Sequence, residues 1–415
     1  MLIFCSTAEA ITLPELITEA LKTHPSVQMQ ERQVDVARMD QQIALQQFWP
    51  TPSVSLERVN PSAGDVSYQG DRQLQIYRLQ QPVWTSGRLS AGLDKSQASI
   101  EVNMASWADA RLQLALKVIQ TWGEWLLYSR KAQVVQESLL SLEQLDALLK
   151  RRIQEGASAP TEGILTESRL QQTRAQWESM QSQAVLARSR LAQLIGRRLT
   201  SQDAPAGLAS YRPEPLASLL DTAPNHYPAY QRSQAQLRLL EAEWQERRAD
   251  LFPEVYLRLE HQRGNFNYAG IDAVNRVFLG MSTRLGAGIS TGLQLEAIDK
   301  KREVIRAEMD NIMRTLQEQV ETEWIQFNAA QARLPALEKS WLAAEQTAKA
   351  WDRQFLAGRK SWMELMNTVR ELMQAHLDLV DAQALLSVSS WRLACLAEST
   401  ELAVQKMQET GALRP

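Results

Sequence analysis

The strongest constraint on the fold is an internal repeat with a period close to 203 residues. His24-Pro25 corresponds to Tyr227-Pro228, and Trp49-Pro50 to Phe252-Pro253, each 203 positions later. Three further pairs keep the same order at offsets of 202 to 205: Thr85-Ser86-Gly87 with Ser290-Thr291-Gly292, Asp94-Lys95 with Asp299-Lys300, and Gly156 with Gly358. The chain therefore consists of two copies of a unit of about 200 residues.

The segment between the copies is rich in proline and is predicted to be a linker. The predicted organisation is residues 1–10, repeat 1 (11–203), linker (204–215), repeat 2 (216–410) and a tail (411–415). The first segment ends in Ala8-Glu9-Ala10, which has the small-x-small form of a secretory cleavage site. We interpret it as the remnant of a signal peptide; an ordinary disordered terminus is the alternative.

Each copy is predicted to contain a helix, two strands, a very long helix, a turn and a return helix. The chain has only 17 Gly and 15 Pro, and this low content of turn-forming residues favours long helices. Stretches with few Gly and Pro residues predict helices at Leu13–Phe48, Leu89–Glu155, Thr161–Ile195, Leu216–Leu251, Leu293–Ala357 and Trp362–Glu409. The second is about 100 Å long and has to pack along its side, and Pro335 should kink the fifth. Antiparallel coiled-coil pairs, or a generic coiled-coil rod, would satisfy these helices.

Two pairs of strands lie between the helices, at about 52–60 and 71–82 in repeat 1 and about 253–263 and 276–290 in repeat 2. The last strand alternates most strictly, with apolar side chains from Val277 to Ile289 on one face. In repeat 1 the alternation slips at Tyr77-Arg78, which predicts a β-bulge. One face is apolar and the other carries Arg, Glu and Gln, as in a lipid-facing sheet or a half-buried soluble sheet.

The strands are long enough to cross a bilayer, but two hairpins leave open edges that lipid does not tolerate. Four strands cannot close a barrel, so the chains must associate. Two chains would give a filled eight-stranded barrel, and three would give twelve strands with a passage. Aromatic residues at the strand ends are candidates for a membrane-interface girdle, or are ordinary core residues: Trp49, Trp84, Phe252 and Tyr256.

Composition and motifs exclude several functional classes. Lys+Arg is 45 against Asp+Glu 48, so the net charge of -3 argues against nucleic-acid binding. No run of about 18 apolar residues predicts a transmembrane helix. The four His are not at metal-ligand spacing, and there is no CxxC or nucleophile motif. We expect no enzyme activity, cofactor or metal.

These features together make the sequence resemble the TolC-like outer-membrane factors of Gram-negative bacteria. The residues carrying the resemblance are Leu13-Pro14-Glu15-Leu16, Trp49-Pro50 and Phe252-Pro253, Gln81-Pro82-Val83-Trp84 with Ser86-Gly87-Arg88, and Gly156 with Gly358. The resemblance implies a mainly α fold with a small β part. Three chains would form a 12-stranded outer-membrane β-barrel continued by a 12-helix periplasmic α-barrel, which agrees with the closure argument.

The resemblance also implies a function in transport. The chain looks nearest to the LapE/AggA-type members, which export large adhesins by type I secretion. Expected partners are a periplasmic adaptor, an inner-membrane ABC exporter, a secreted protein substrate and outer-membrane lipid. The alternatives are a drug or metal efflux factor and, from another class, a soluble periplasmic coiled-coil scaffold. At Arg284-Leu285-Gly286-Ala287-Gly288 the sequence departs from the family's Pro-aromatic pattern.

The resemblance places the functional residues at the two helix turns, where adaptors dock and the tube closes. The expected docking residues are Gly156, Ala157, Ser158, Gly358, Arg359 and Lys360. Polar residues just past the second turn are candidates for a periplasmic gate: Glu364, Asn367, Arg370 and Glu371. A helix C-cap for the glycines and a solvated helix face for the gate residues are the alternative interpretations.

Overall fold

The computed structural model describes residues 10–62, 64–200, 203–205, 211–270, 273–283 and 290–412. The predicted signal-peptide remnant up to residue 9, linker residues 206–210 and residues 284–289 of the last predicted strand lie outside these ranges. The departure from the family pattern at residues 284–288 lies outside them as well.

The described residues form the same order of elements twice, as the repeat predicts. In repeat 1 the elements are β1 (Ala10–Ile11), α1 (Leu13–Thr23), α2 (Pro25–Gln46), β2 (Thr51–Arg58), β3 (Gln73–Trp84), α3 (Arg88–Gln154) and α4 (Pro160–Ile195). The second copy begins with β4 (Ala204–Pro205), which lies in the predicted linker and pairs with β1, and continues with α5 (Leu216–His226), α6 (Pro228–Ala249), β5 (Glu254–Arg263), β6 (Val274–Ser282), α7 (Thr291–Leu356) and α8 (Trp362–Ala397). One further helix, α9 (Thr400–Ala412), follows α8.

Three predicted helices are each two helices. His24 has an extended backbone, with φ −72° and ψ 127°, because the following Pro25 excludes it from the helical region. Tyr227 before Pro228 breaks the corresponding helix of repeat 2 in the same way. Glu398, also extended, separates α8 from α9. The helix α7 continues through Pro335, and a kink there stays a prediction.

The four longer strands form one antiparallel sheet in the order β2-β3-β5-β6. The two predicted hairpins are therefore joined, because β3 of the first copy pairs with β5 of the second. The predicted bulge at Tyr77-Arg78 is wrong: both residues keep regular register with β2, and the irregularity lies between Pro82 and Trp84. The alternation slips at Tyr77 because Leu74 and Ile76 are buried on the face that also carries Arg78.

The chain divides into two compact units that do not coincide with the two repeats. The helical unit takes Met1–Gln28, Asp109–Tyr227 and Met313–Pro415, and the sheet unit takes Met29–Ala108 and Pro228–Ile312. Each unit thus draws segments from both copies. No helix among the described residues is both long and apolar enough to cross a membrane.

The core of the helical unit lies between the long helices and their return helices. Trp122 and Trp391 are among its largest fully buried side chains. The helices α3 and α8 approach closely at Gly123, where an added Cβ would lie 2.3 Å from a methyl group of Val388. Ion pairs also bridge helices: Lys131 with Asp381 at 2.7 Å, and Arg111 with Glu401 at 2.9 Å.

The sheet unit has helical segments of its own, tied together by ion pairs. Lys95 of α3 lies 3.0 Å from Glu246 of α6, and Arg238 of α6 lies 2.7 Å from Glu101 of α3. Arg88 at the start of α3 pairs with Glu254 at the start of β5 over 3.0 Å. That pair fixes the point where the sheet passes into the helices.

Candidate functional site

The two turns between long helix and return helix share one backbone geometry. Gly156 after α3 has φ +73°, and Gly358 after α7 has φ +70°. In each turn the next N–H donates to a carbonyl five residues back: Ala157 to Arg152 over 2.8 Å, and Arg359 to Gln354 over 2.9 Å. This is the Schellman form of helix end. A Cβ at either glycine would meet no described atom within 4 Å, so the positive φ alone accounts for glycine.

The start of α8 is held by a capping box after the second turn. Ser361 Oγ accepts the Glu364 N–H at 3.3 Å, and the Glu364 carboxylate accepts the Ser361 N–H at 3.0 Å. Lys360 Nζ donates to the same carboxylate over 2.7 Å and lies 4.2 Å from the centre of the Trp351 ring. The Lys360 bond, followed by those from Ser361, lowers the pKa of Glu364 from 4.5 to about 2.

The indole of Trp362 joins the two turns. It is 2% exposed, and its Nε1 donates to Thr166 Oγ1 of α4 over 2.7 Å. Its ring lies 5.2 Å from that of Phe355 near the end of α7. The surrounding apolar cluster takes side chains from all four helices: Leu139, Leu142, Leu149, Leu170, Phe355, Leu365, Met366 and Val369. A force on one turn would therefore reach the other through packed side chains.

The gate candidates do not share one environment. Glu364, Asn367 and Glu371 are spaced three and four residues apart and so lie along one face of α8. Glu364 is committed to its cap and to Lys360. Arg370 and Glu371 are exposed and make no ion pair or hydrogen bond within the part of the chain that the structure describes. These two side chains are free to pair with groups from another chain.

The docking candidates likewise differ in their freedom. Ala157 and Arg359 are exposed, Ser158 is half-buried, and Lys360 is held by Glu364 and Trp351. The structure adds three exposed apolar residues near the turns that sequence reasoning missed: Ile164, Leu356 and Met363. Their position beside a turn is the signal that could have indicated them, since apolar patches on a surface mark contacts with partners.

A groove of about 520 Å³ lies in the helical unit between α3, α7 and α8. His376 lines it and stacks on Trp341, with ring centres 4.9 Å apart. Burial lowers the pKa of His376, while the charges of Glu137 and Glu345 act in the opposite direction. At neutral pH this imidazole is therefore predominantly uncharged.

The sheet has two chemically distinct faces. Glu260, only 8% exposed, lies at the centre of one face and accepts from Arg78 Nε over 2.9 Å. Arg258 and Arg276 lie 3.9 and 3.8 Å from the same carboxylate. The opposite face is apolar and exposed along all four strands: Val54, Leu56, Tyr77, Leu79, Leu257, Leu259, Val277, Leu279 and Met281. Contiguous exposed apolar side chains of this kind mark a surface that contacts a partner or a membrane.

Three of the four predicted interface aromatics are exposed at the helix-linked end of the sheet. Trp49, Trp84 and Phe252 have large exposed surfaces. Tyr256 instead lies on the charged face, where its ring covers Gly280 of the neighbouring strand. A Cβ at Gly280 would fall 2.5 Å from that ring, so the tyrosine has a local packing role there.

Among the described residues no group of three His, Cys, Asp or Glu side chains could hold a metal ion. No curated protein sequence matches the chain. Solved structures do match it. CusC aligns with a TM-score of 0.79 at 14% identity, covering 93% of this chain and 92% of that chain. VceC from Vibrio cholerae aligns with a TM-score of 0.77 at 16% identity, covering 93% of this chain and 96% of that chain.

The open state of the MtrE channel from Neisseria gonorrhoeae gives a TM-score of 0.75 at 15% identity, covering 93% of this chain and 89% of that chain. The chain therefore has the fold of outer membrane channels. The model of the outer membrane efflux protein family matches residues 16–197 and 219–397, one match for each repeat. The chain belongs to this family of TolC-like outer-membrane proteins, and its location is the outer membrane.

We predict that Glu364→Gln loosens the start of α8, because a neutral amide holds Lys360 less strongly. The lowered pKa means that the ionised carboxylate stabilises the turn fully above pH 4.5 and that this stabilisation is lost as the pH falls towards about 2. Amide hydrogen exchange of residues 360–366 should show greater protection in the parent chain above pH 4.5. Near pH 2 the protection of these amides in the parent should equal their protection in the variant.

The matched control is Glu345→Gln, which removes the 2.8 Å pair with Lys349 on α7. It should leave exchange at the turn unchanged. Equal protection of parent and Glu364→Gln above pH 4.5 would show that the capping box does not hold this turn.

Proposed function

We propose that three copies of the chain form a hollow conduit. The sheets of three chains close a twelve-stranded barrel in the outer membrane, and the helices continue as a twelve-helix barrel in the periplasm. The observation that carries this proposal is the sheet with an exposed apolar face and a charged face. Its edge strands β2 and β6 have no further strand beside them within the described residues. Lipid would cover the apolar face, and neighbouring chains would pair the edges.

In this assembly the charged face of the sheet lines the passage and the two turns form its periplasmic end. The exposed Trp49, Trp84 and Phe252 form an aromatic girdle at the periplasmic surface of the outer membrane. A periplasmic adaptor contacts the turns at Gly156, Ala157 and Ser158 and at Gly358, Arg359 and Lys360. The apolar residues Ile164, Leu356 and Met363 extend that contact. The conduit is passive, and the energy comes from the inner-membrane partner.

We infer that Arg370 and Glu371 close the periplasmic end through pairs between chains, with Asn367 beside them. Three copies of each side chain around a symmetry axis would face one another at one height. Glu364, which the sequence also indicated as a gate residue, acts here by fixing the start of α8. Its own charge is satisfied within the chain by Lys360.

For the transported molecule we propose a protein substrate, passed from an ABC exporter through the adaptor to the cell exterior by type I secretion. The general likeness of the sequence to adhesin-exporting members supports this assignment. The second candidate is the outer-membrane factor of a drug or metal efflux pump, which the description of the matched family favours. A soluble periplasmic scaffold gives no reason for an apolar sheet face left open.

Leu279→Arg tests the membrane assignment of the sheet. Leu279 is 75% exposed on the apolar face, in the middle part of the edge strand β6, and an arginine there would cost about 2–4 kcal/mol at the bilayer midplane. We expect the variant to be depleted from the outer-membrane fraction. Electron microscopy of detergent-extracted parent protein should show threefold hollow tubes.

The matched control is Gln80→Arg, which puts the same side chain on the charged face opposite Arg258. It should be recovered like the parent. Normal membrane recovery of Leu279→Arg, or solid rods in place of tubes, would refute the conduit.

Arg370→Gln and Glu371→Gln test the gate. If these side chains pair between chains, removing either charge should raise single-channel conductance in a planar bilayer. The controls Arg169→Gln and Glu167→Gln make the same charge changes on α4 and should leave conductance unchanged. No rise for either test variant would remove both residues from the gate.

Gene deletion distinguishes the two transport functions. A type I secretion duct predicts loss of a large secreted protein from the culture medium, with drug and metal resistance unchanged. An efflux factor predicts that resistance to drugs or metals falls while the secreted proteins in the medium stay unchanged. Re-expression of the parent chain should restore the phenotype that was lost.

A further inference from the structure

Three arginines converge on one concave site at the loop end of the sheet. The site has a volume of about 650 Å³ and is lined by Arg58 at the end of β2, Arg72 just before β3 and Arg263 at the end of β5. Gln73, Gln75 and Asp71 complete its polar wall. None of these features belongs to the turns or to the charged cluster around Glu260.

The site carries an excess of positive charge. None of the three guanidinium groups forms an ion pair with a carboxylate within the part of the chain that the structure describes. Among the described lining residues Asp71 is the acidic one, and it accepts the Asn265 N–H over 3.0 Å. Three cations that line one site with a single described carboxylate favour an anionic ligand. Arginine's planar fork is especially suited to phosphate oxygens.

The two hairpin loops give the site a fixed wall. The Gly70 N–H donates to the Phe266 carbonyl over 2.8 Å, and the Asp71 N–H donates to the Asn265 carbonyl over 2.7 Å. At Gly264, with φ +87°, a Cβ would fall 2.3 Å from the Gln73 carbonyl oxygen. Because the loops are bonded to each other, the arginines project from a pre-organised support.

The register of the strands shows where such an anion would sit. Arg58 follows Leu56 by two residues on β2, and Arg263 follows Leu259 by four on β5, so each lies on the apolar face. Along β2, Leu56 and Arg58 are only about 7 Å apart. A ligand with a phosphate at the arginines would therefore place attached acyl chains on the exposed apolar residues.

We propose that Arg58, Arg72 and Arg263 bind the phosphate groups of a phosphorylated lipid in the outer leaflet. This inference rests on the proposed function, which puts the apolar face in the membrane and the loops at the cell surface. The arginines then lie at the height of the headgroups, above the acyl layer. The site would anchor each sheet at a defined depth.

The test compares lipid binding to the purified protein by native mass spectrometry. The variant is Arg58→Gln/Arg263→Gln, and the control Arg32→Gln/Arg38→Gln removes the same charge from the exposed surface of α2. The probes are diphosphorylated lipid A, the same lipid without phosphates, and inorganic phosphate. We expect the parent and the control to bind phosphorylated lipid A about tenfold or more tightly than the variant does.

Two results would overturn the phosphate site and leave the conduit intact. The parent could bind phosphorylated and dephosphorylated lipid A equally, or the variant could bind phosphorylated lipid A as tightly as the parent does. Inorganic phosphate that binds the parent as tightly as the lipid, with the same arginine dependence, would replace the lipid by a soluble anion. Failure of the parent to bind either lipid would instead count against the proposed function itself, and against this site with it.

Discussion

A helix of 66 or 67 residues persists in water only if neighbours cover a stripe along its whole length. In the helical unit that cover comes from return helices of both copies. A close approach, at Gly123 and Val388, joins α3 of repeat 1 to α8 of repeat 2. Repeat 1 therefore does not bury its own long helix alone. This cover by the other copy explains why the compact units cut across the repeats.

The same dependence makes the turns more than connections. Each glycine ends a long helix, and the chain then returns along it, so both turns lie where the packed helices end. Trp362 seals that end by filling the space between helices and donating to Thr166. Because Thr166 is fully buried and belongs to the other copy, the two turns cannot move independently without losing this hydrogen bond.

Much of this organisation could be predicted because it depends on local chemistry that recurs in both copies. Positive φ needs glycine at residues 156 and 358, so the turns were visible in the sequence. The break at His24 followed from Pro25 but was missed inside a long apolar-periodic stretch. The cap at Glu364 was also readable, because Ser361 and Glu364 have the spacing of a capping box. Tertiary contacts, which no spacing reveals, decide that Arg370 and Glu371 have no ion pair within the described residues. They also decide that Arg58, Arg72 and Arg263 line one site.

The joining of the two hairpins illustrates how a polar cluster can specify an apolar surface. A slip of one residue between β3 and β5 would turn every apolar side chain of one hairpin to the charged face. Glu260 opposes such a slip because it is nearly buried and its charge has to be paired. In the observed register Arg78 of β3 and Arg276 of β6 reach it from both sides. The ion pairs on one face thus hold strands from both copies in the alignment that brings the exposed apolar side chains of all four strands together on the other face, which is the property a membrane-facing sheet requires.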